Sequence, residues 1–139
     1  MKKKFVFTAV LFVVLAFASA CSVPGAPEDF TGLVEALRTA GATVETGEPV
    51  EQPFLSKAGQ IVRIDGADLQ VFEYGSAEAL EADAATISPD GGSTDTTMIT
   101  WMATPHFFKS GRLLVLYVGD DAATLGLLET VLGEQFAGG

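Results

Sequence analysis

Phe108-Lys109-Ser110-Gly111-Arg112-Leu113-Leu114-Val115-Leu116-Tyr117-Val118-Gly119 is the stretch on which the fold turns. Leu113 to Val118 is apolar without a break and has glycine close on both sides. It reads as a central strand buried on both faces, because a strand with one wet face would alternate. Ser110-Gly111 supplies a two-residue turn, so His106 to Lys109 is expected to fold back on Arg112 to Val118 as an antiparallel hairpin. Downstream, Asp120 after Gly119 can cap a last helix. There Leu125, Leu128, Val131 and Leu132 recur on the face toward the sheet and Gly133 closes the run. Phe136 lies in a short, otherwise small-residue tail and is expected to pack back.

Upstream the same order of signals recurs. Gln60 to Ile64 and Ala67 to Tyr74 flank Asp65-Gly66, a strong hairpin turn. Gly75-Ser76 then opens a helix whose buried stripe is Ala77, Leu80, Ala84 and Ile87, ending at Ser88-Pro89. Gly66 precedes Gly111 by 45 residues, Gly75 precedes Gly119 by 44, and Ile87 precedes Val131 by 44. Matched spacings point to two hairpin-helix pseudo-repeats. Between them Asp90 to Thr97 holds no apolar residue and reads as a solvent loop, and Met98 to Met102 reads as a strand carrying Trp101, broken by Pro105.

Before the first hairpin, Asp29 caps a helix with Phe30, Leu33, Val34 and Leu37 on one face, Arg38 in its last turn and Gly41 as its stop. Ala42 to Thr46 suggests a short edge strand. Glu48 to Pro53 reads as an extended loop because each proline removes a donor, and Phe54-Leu55 reads as the start of a strand. Together these elements make one α+β domain over residues 30–139. Its expected form is a two-layer sandwich, an antiparallel sheet with helices mainly on one face.

The uncovered face of such a sheet is the first place to look for a ligand. Phe72 and Tyr74 share a face, and with Trp101, His106 and Tyr117 they form a candidate shallow apolar ligand surface. The simpler reading is that loops and the first helix cover that face, since large exposed apolar patches are rare. His106 is the only histidine. An enzyme would need it beside a nucleophile, or beside carboxylates holding a metal. Asp90 to Asp95 and Asp120-Asp121 lack the alternating acids and closing glutamate of an EF-hand loop, and Asp120 is better placed as a helix cap. No phosphate loop, dinucleotide fingerprint or nucleophile elbow is present, so no cofactor is expected.

Charge narrows the partners further. Beyond Cys21 the chain has five basic residues, Arg38, Lys57, Arg63, Lys109 and Arg112, against 18 acidic ones, a balance of −13. Such a domain repels phosphate backbones and anionic lipid headgroups, which excludes nucleic acid as a partner.

The beginning of the chain supplies an address. Lys2, Lys3 and Lys4 precede the uncharged run Phe5 to Phe17, and Ala18-Ser19-Ala20 leads into the single cysteine, Cys21. This is the layout of an export signal over residues 1–20, followed by a linker over residues 21–29 whose prolines favour extended backbone. Ala18-Ser19-Ala20-Cys21 resembles the lipobox of bacterial lipoproteins, with alanine at the position where leucine is commonest. The resemblance implies a diacylglycerol on the Cys21 thiol and cleavage before it. It also implies a domain lipid-anchored to the cell membrane or outer membrane, on the extracytoplasmic side. Ala18-x-Ala20 also satisfies an ordinary secretory cleavage site, which would leave Cys21 as an unpaired thiol, an oddity that lipidation removes. Retained uncleaved, the run is short for the ~20 residues of a membrane helix. Leu69 to Tyr74, Pro105 to Lys109 and Leu114 to Gly119 are similar to segments of small bacterial lipoproteins to which no activity attaches. The expectation is therefore a non-enzymatic binding module whose partners are the membrane, through Cys21, and an envelope protein or small ligand. The alternative is an envelope hydrolase or metal-dependent enzyme using His106 and carboxylates.

Overall fold

A computed structural model describes residues 25–139, so Cys21 and the expected export signal over residues 1–20 lie outside the described residues. The chain runs α1 (Phe30–Thr39), β1 (Val44–Val50), β2 (Gly59–Ile64), β3 (Ala67–Glu73), α2 (Ala77–Ala84), β4 (Pro105–Ser110), β5 (Leu113–Val118), α3 (Ala122–Leu132) and β6 (Ala137–Gly138). The strands form one antiparallel sheet in the order β1-β2-β3-β5-β4-β6. Leu113 to Tyr117 is buried throughout, as a central strand requires. No helix among the described residues is long and apolar enough to cross a membrane.

Local chemistry sets the elements. Asp29 accepts from the Gly32 N–H at 2.8 Å to start α1, and Ser76 accepts from the Ala79 N–H at 3.1 Å to start α2. At the β2–β3 turn Asp65 and Gly66 both have positive φ, 47° and 90°, the twist that a two-residue hairpin demands. The second hairpin turns on Gly111-Arg112, one residue later than expected, because Ser110 pairs with Leu113 and only Gly111, at φ 55°, takes the left-handed position. Likewise Asp121, not Asp120, caps α3, accepting from both the Thr124 N–H and hydroxyl. Within α2 the helix ends at Ala84, Ala77 is exposed, and Ile87 reaches the core from the turn that follows.

Three segments depart from expectation. β1 continues to Val50 through Pro49: the ladder to β2 is irregular between Thr46 and Pro49, and an edge strand tolerates a residue without a donor. Phe54-Leu55 lies in a turn closed by Leu55 N–H to Gln52 O. Met98 to Met102 is loop, touching Ser93 through a single bridge at Met98. A sixth strand that the Gly-rich tail does not advertise, β6, pairs with His106 and Phe107.

The core has two halves, one on each face of the sheet. Leu33 and Leu37 of α1 and Leu128, Val131 and Leu132 of α3 pack on Val62, Ile64, Leu69, Val71, Phe108, Leu113 and Val115. On the opposite face Leu80 and Ala84 of α2, with Leu55, Ile87 and Ala137, pack on Phe72, Phe107, Leu114 and Leu116. Two of the three helices thus share a face. The helix that covers the other, together with loops, is α2 rather than α1.

The hairpins β2–β3 and β5–β4 flank the sheet centre, where Val71 faces Val115, 44 residues on. The likeness stops at the helices. β3 and β5 are antiparallel, yet the crossovers β3-α2-β4 and β5-α3-β6 both travel toward the β6 edge. Two crossovers of the same hand must then lie on opposite faces.

Candidate functional site

Tyr74 and Phe72 lie on the face covered by α2, and the Tyr74 hydroxyl donates to Asp83 Oδ2 at 2.8 Å. The same oxygen accepts from the backbone N–H and the hydroxyl of Ser56, each at 2.8 Å. One carboxylate oxygen therefore joins the end of β3, α2 and the loop before β2. Burial first, then the bond to Asp83, raises the Tyr74 phenol above its ordinary value. A phenol that ionises less readily folded than unfolded contributes stability that is fully present below pH ~10 and lost as pH rises beyond it. Tyr74→Phe is expected to lower stability near neutrality by about 1–2 kcal/mol and to flatten the alkaline limb. Urea midpoints of both proteins between about pH 8 and pH 11.5 check this; parallel alkaline limbs would contradict it.

Trp101 reaches the same face from the loop Ala85 to Thr104. Its indole N–H donates to Gly91 O at 2.7 Å, and its ring meets Phe107 and Phe54 edge-on at 5.9 and 6.0 Å. The loop is bonded into one shape: Asp90 Oδ1 accepts from the Ser88 hydroxyl at 2.6 Å and the Gly92 N–H at 2.9 Å. Thr94 N–H bonds Thr97 O, and Ile99 N–H bonds Gly92 O. The hydroxyl of Ser88 foremost, then the Gly92 N–H, holds the Asp90 carboxyl below the usual range, as the Thr124 donors do for Asp121.

His106 and Tyr117 lie on the opposite face, with rings stacked at 6.1 Å. His106 is 6 % exposed; its Nδ1 lies 2.6 Å from the acceptor Gln135 Oε1, while Nε2 is buried without a partner among the described residues. Tyr117 Oη accepts from the Asp121 N–H at 3.3 Å. The five residues expected to make one ligand surface are thus divided between two faces, Phe72, Tyr74 and Trp101 on one, His106 and Tyr117 on the other. Pairing of Phe72 with Leu114 and of Leu69 with Tyr117 fixes that division. Phe72, Tyr74, His106 and Tyr117 are all buried, and neither ring nitrogen of His106 bonds a carboxylate among the described residues. Among the same residues no three His, Cys, Asp or Glu side chains gather as a metal site.

Two features escape sequence reasoning. A solvent-open groove of about 590 Å³ runs between the segment Gly25 to Glu28, the Gly32, Ala36 and Ala40 side of α1, and Thr130-Val131 of α3. Small residues at a spacing of four on α1 were its only signal. The other is the pair Met98 and Met102, the exposed large apolar residues among those described. The apolar run around Trp101, Met98-Ile99-Thr100-Trp101-Met102, imitates a strand. No family model, no curated protein and no solved structure matches this chain.

Proposed function

We propose that the protein is a lipid-anchored extracytoplasmic domain, tethered through Cys21, that acts by binding an envelope component or small ligand rather than by catalysis. The observation that carries this reading is the seating of the segment just beyond the lipobox. Ser110 Oγ donates to Pro27 O at 2.6 Å and Arg112 N–H donates to Glu28 O at 2.9 Å. Pro27, six residues after Cys21, is thereby held against the β4–β5 turn. That distance, about 20 Å when extended, keeps a body joined to a lipidated Cys21 close to the bilayer. Arg112 also pairs with Glu73 at 2.9 Å, and Glu73 accepts from the Phe30 N–H, so the start of α1 is bonded to the same part of the sheet. Binding is supported by the bonded loop Ala85 to Thr104, which turns apolar side chains outward. His106, held by Gln135 and Tyr117, has the surroundings of a packing residue.

The test is mass spectrometry of the membrane and soluble fractions from cells producing the full chain or its Cys21→Ser variant. The expected result is an acyl-bearing mature chain in membranes that begins at Cys21, and an unacylated variant without the lipid. A native protein found soluble with a bare Cys21 thiol would defeat the reading. His106→Phe is expected to leave partner capture intact, whereas a hydrolase would lose its activity.

A further inference from the structure

We infer that Met98 and Met102 form a reversible oxidation site, at which peroxides convert surface thioethers to sulfoxides in the folded protein. The chain has three methionines and one cysteine; Met1 and Cys21 lie outside the described residues, so these two thioethers are the sulfur among those described. Their relative exposures are 88 % and 103 %, and neither enters the two halves of the core. Buried methionine fills gaps between apolar neighbours, a task these positions do not have.

The backbone holds both sulfurs outward. The turn from Thr94 N–H to Thr97 O, the bridge between Ser93 and Met98, and the bond from Ile99 N–H to Gly92 O fix the chain on one side of Trp101. The indole, bonded to Gly91 O and wedged against Phe54 and Phe107, fixes the centre. Met98 and Met102 stand on either side of this anchor. Asp95 is the single charge between Gly91 and Thr104, so the tip is nearly neutral on a strongly acidic body.

In the reaction a sulfur lone pair attacks one oxygen of the hydroperoxide as the O–O bond breaks. The departing oxygen takes up a proton and leaves as water or an alcohol. Sulfur loses two electrons, the peroxide gains them, and a flexible apolar side chain becomes a polar one. Core methionines damage packing when this happens. Here the change falls on the surface, so the fold persists while the loop's outward face is rewritten. Sulfoxide reductases reverse the step and need access to the side chain, which an exposed loop grants. This inference stands apart from the lipid-anchor reading, because it concerns only the folded domain.

The experiment treats the folded protein with hydrogen peroxide, follows both residues by peptide mass mapping beside N-acetylmethionine amide, and records thermal melts. Both methionines are expected to gain one oxygen at rates within about fivefold of the free amide. The melting midpoint is expected to move by less than about 2 °C, and reductase treatment without denaturant to remove both oxygens. Met98→Leu and Met102→Leu should each abolish one oxygen addition. Slower reaction at either residue, a larger fall in the melting midpoint, or failure of the reductase on the folded protein would overturn the inference.

Discussion

Phe107→Ala is expected to destabilise the domain by about 4 kcal/mol, measured as a lower urea midpoint with an unchanged slope. Phe107 is wholly buried and meets Trp101 at 5.9 Å, Phe54 at 6.4 Å and Phe136 at 6.1 Å. Each partner arrives from a different segment: the long loop after α2, the turn before β2 and the C-terminal tail. The loop and the turn lie outside the sheet, while the tail also joins it through Phe136 N–H to Phe107 O and the short β6, so the phenyl ring is where the three side chains meet on that face. Alanine would leave a cavity that the sheet backbone cannot close, and the cost combines lost transfer energy with lost contacts. Trp101 would also lose a wall of its site, and its fluorescence is expected to shift to the red. Phe107→Leu, which keeps most of the volume, is expected to cost about half as much. A loss below about 1.5 kcal/mol for Phe107→Ala would mean that the loop and tail dock independently of this ring.

Gly111→Ala is the second large effect, expected at about 3 kcal/mol. Gly111 has φ 55°, and a Cβ there would overlap the Cα of Glu28. Gly66 supplies the control: its φ is 90° but nothing lies within 4 Å of the added carbon, so Gly66→Ala meets backbone strain alone, about 1 kcal/mol. The difference between the two measures what it takes to push the segment before α1 off the β4–β5 turn, with the bonds at Pro27 and Glu28 broken. Limited proteolysis before α1 is expected to accelerate in Gly111→Ala and not in Gly66→Ala. Equal losses in the two variants would show that the contact at Glu28 carries no weight.

What could be read in advance follows the range of the forces involved. The caps at Asp29 and Ser76, the paired positive φ values at Asp65-Gly66, and the unbroken apolar run of β5 are written in a few neighbouring residues, and they hold. The one-residue shift of the second turn and the cap at Asp121 are near misses of the same local kind. Pro49 inside β1 depends on that strand being at an edge, which no window of sequence reveals. The face taken by α2 depends on the handedness of crossovers and on the direction of travel across the sheet. Trp101 is fixed by Gly91 and the two phenylalanines rather than by a ladder, so the largely apolar run around it misled. The candidate surface failed for one reason: alternation tells which residues of one strand share a side, but only the β3–β5 register tells whether Phe72 and Tyr117 do.

The long open border of the sheet is β1, where Glu45 and Glu48 are exposed, Pro49 withholds a donor and the ladder is irregular before it. An incoming strand would find missing hydrogen bonds and repelling carboxylates. Copies crowded side by side on a surface would therefore fail to zip into filaments through that border, and each would keep its own loop free to meet something else.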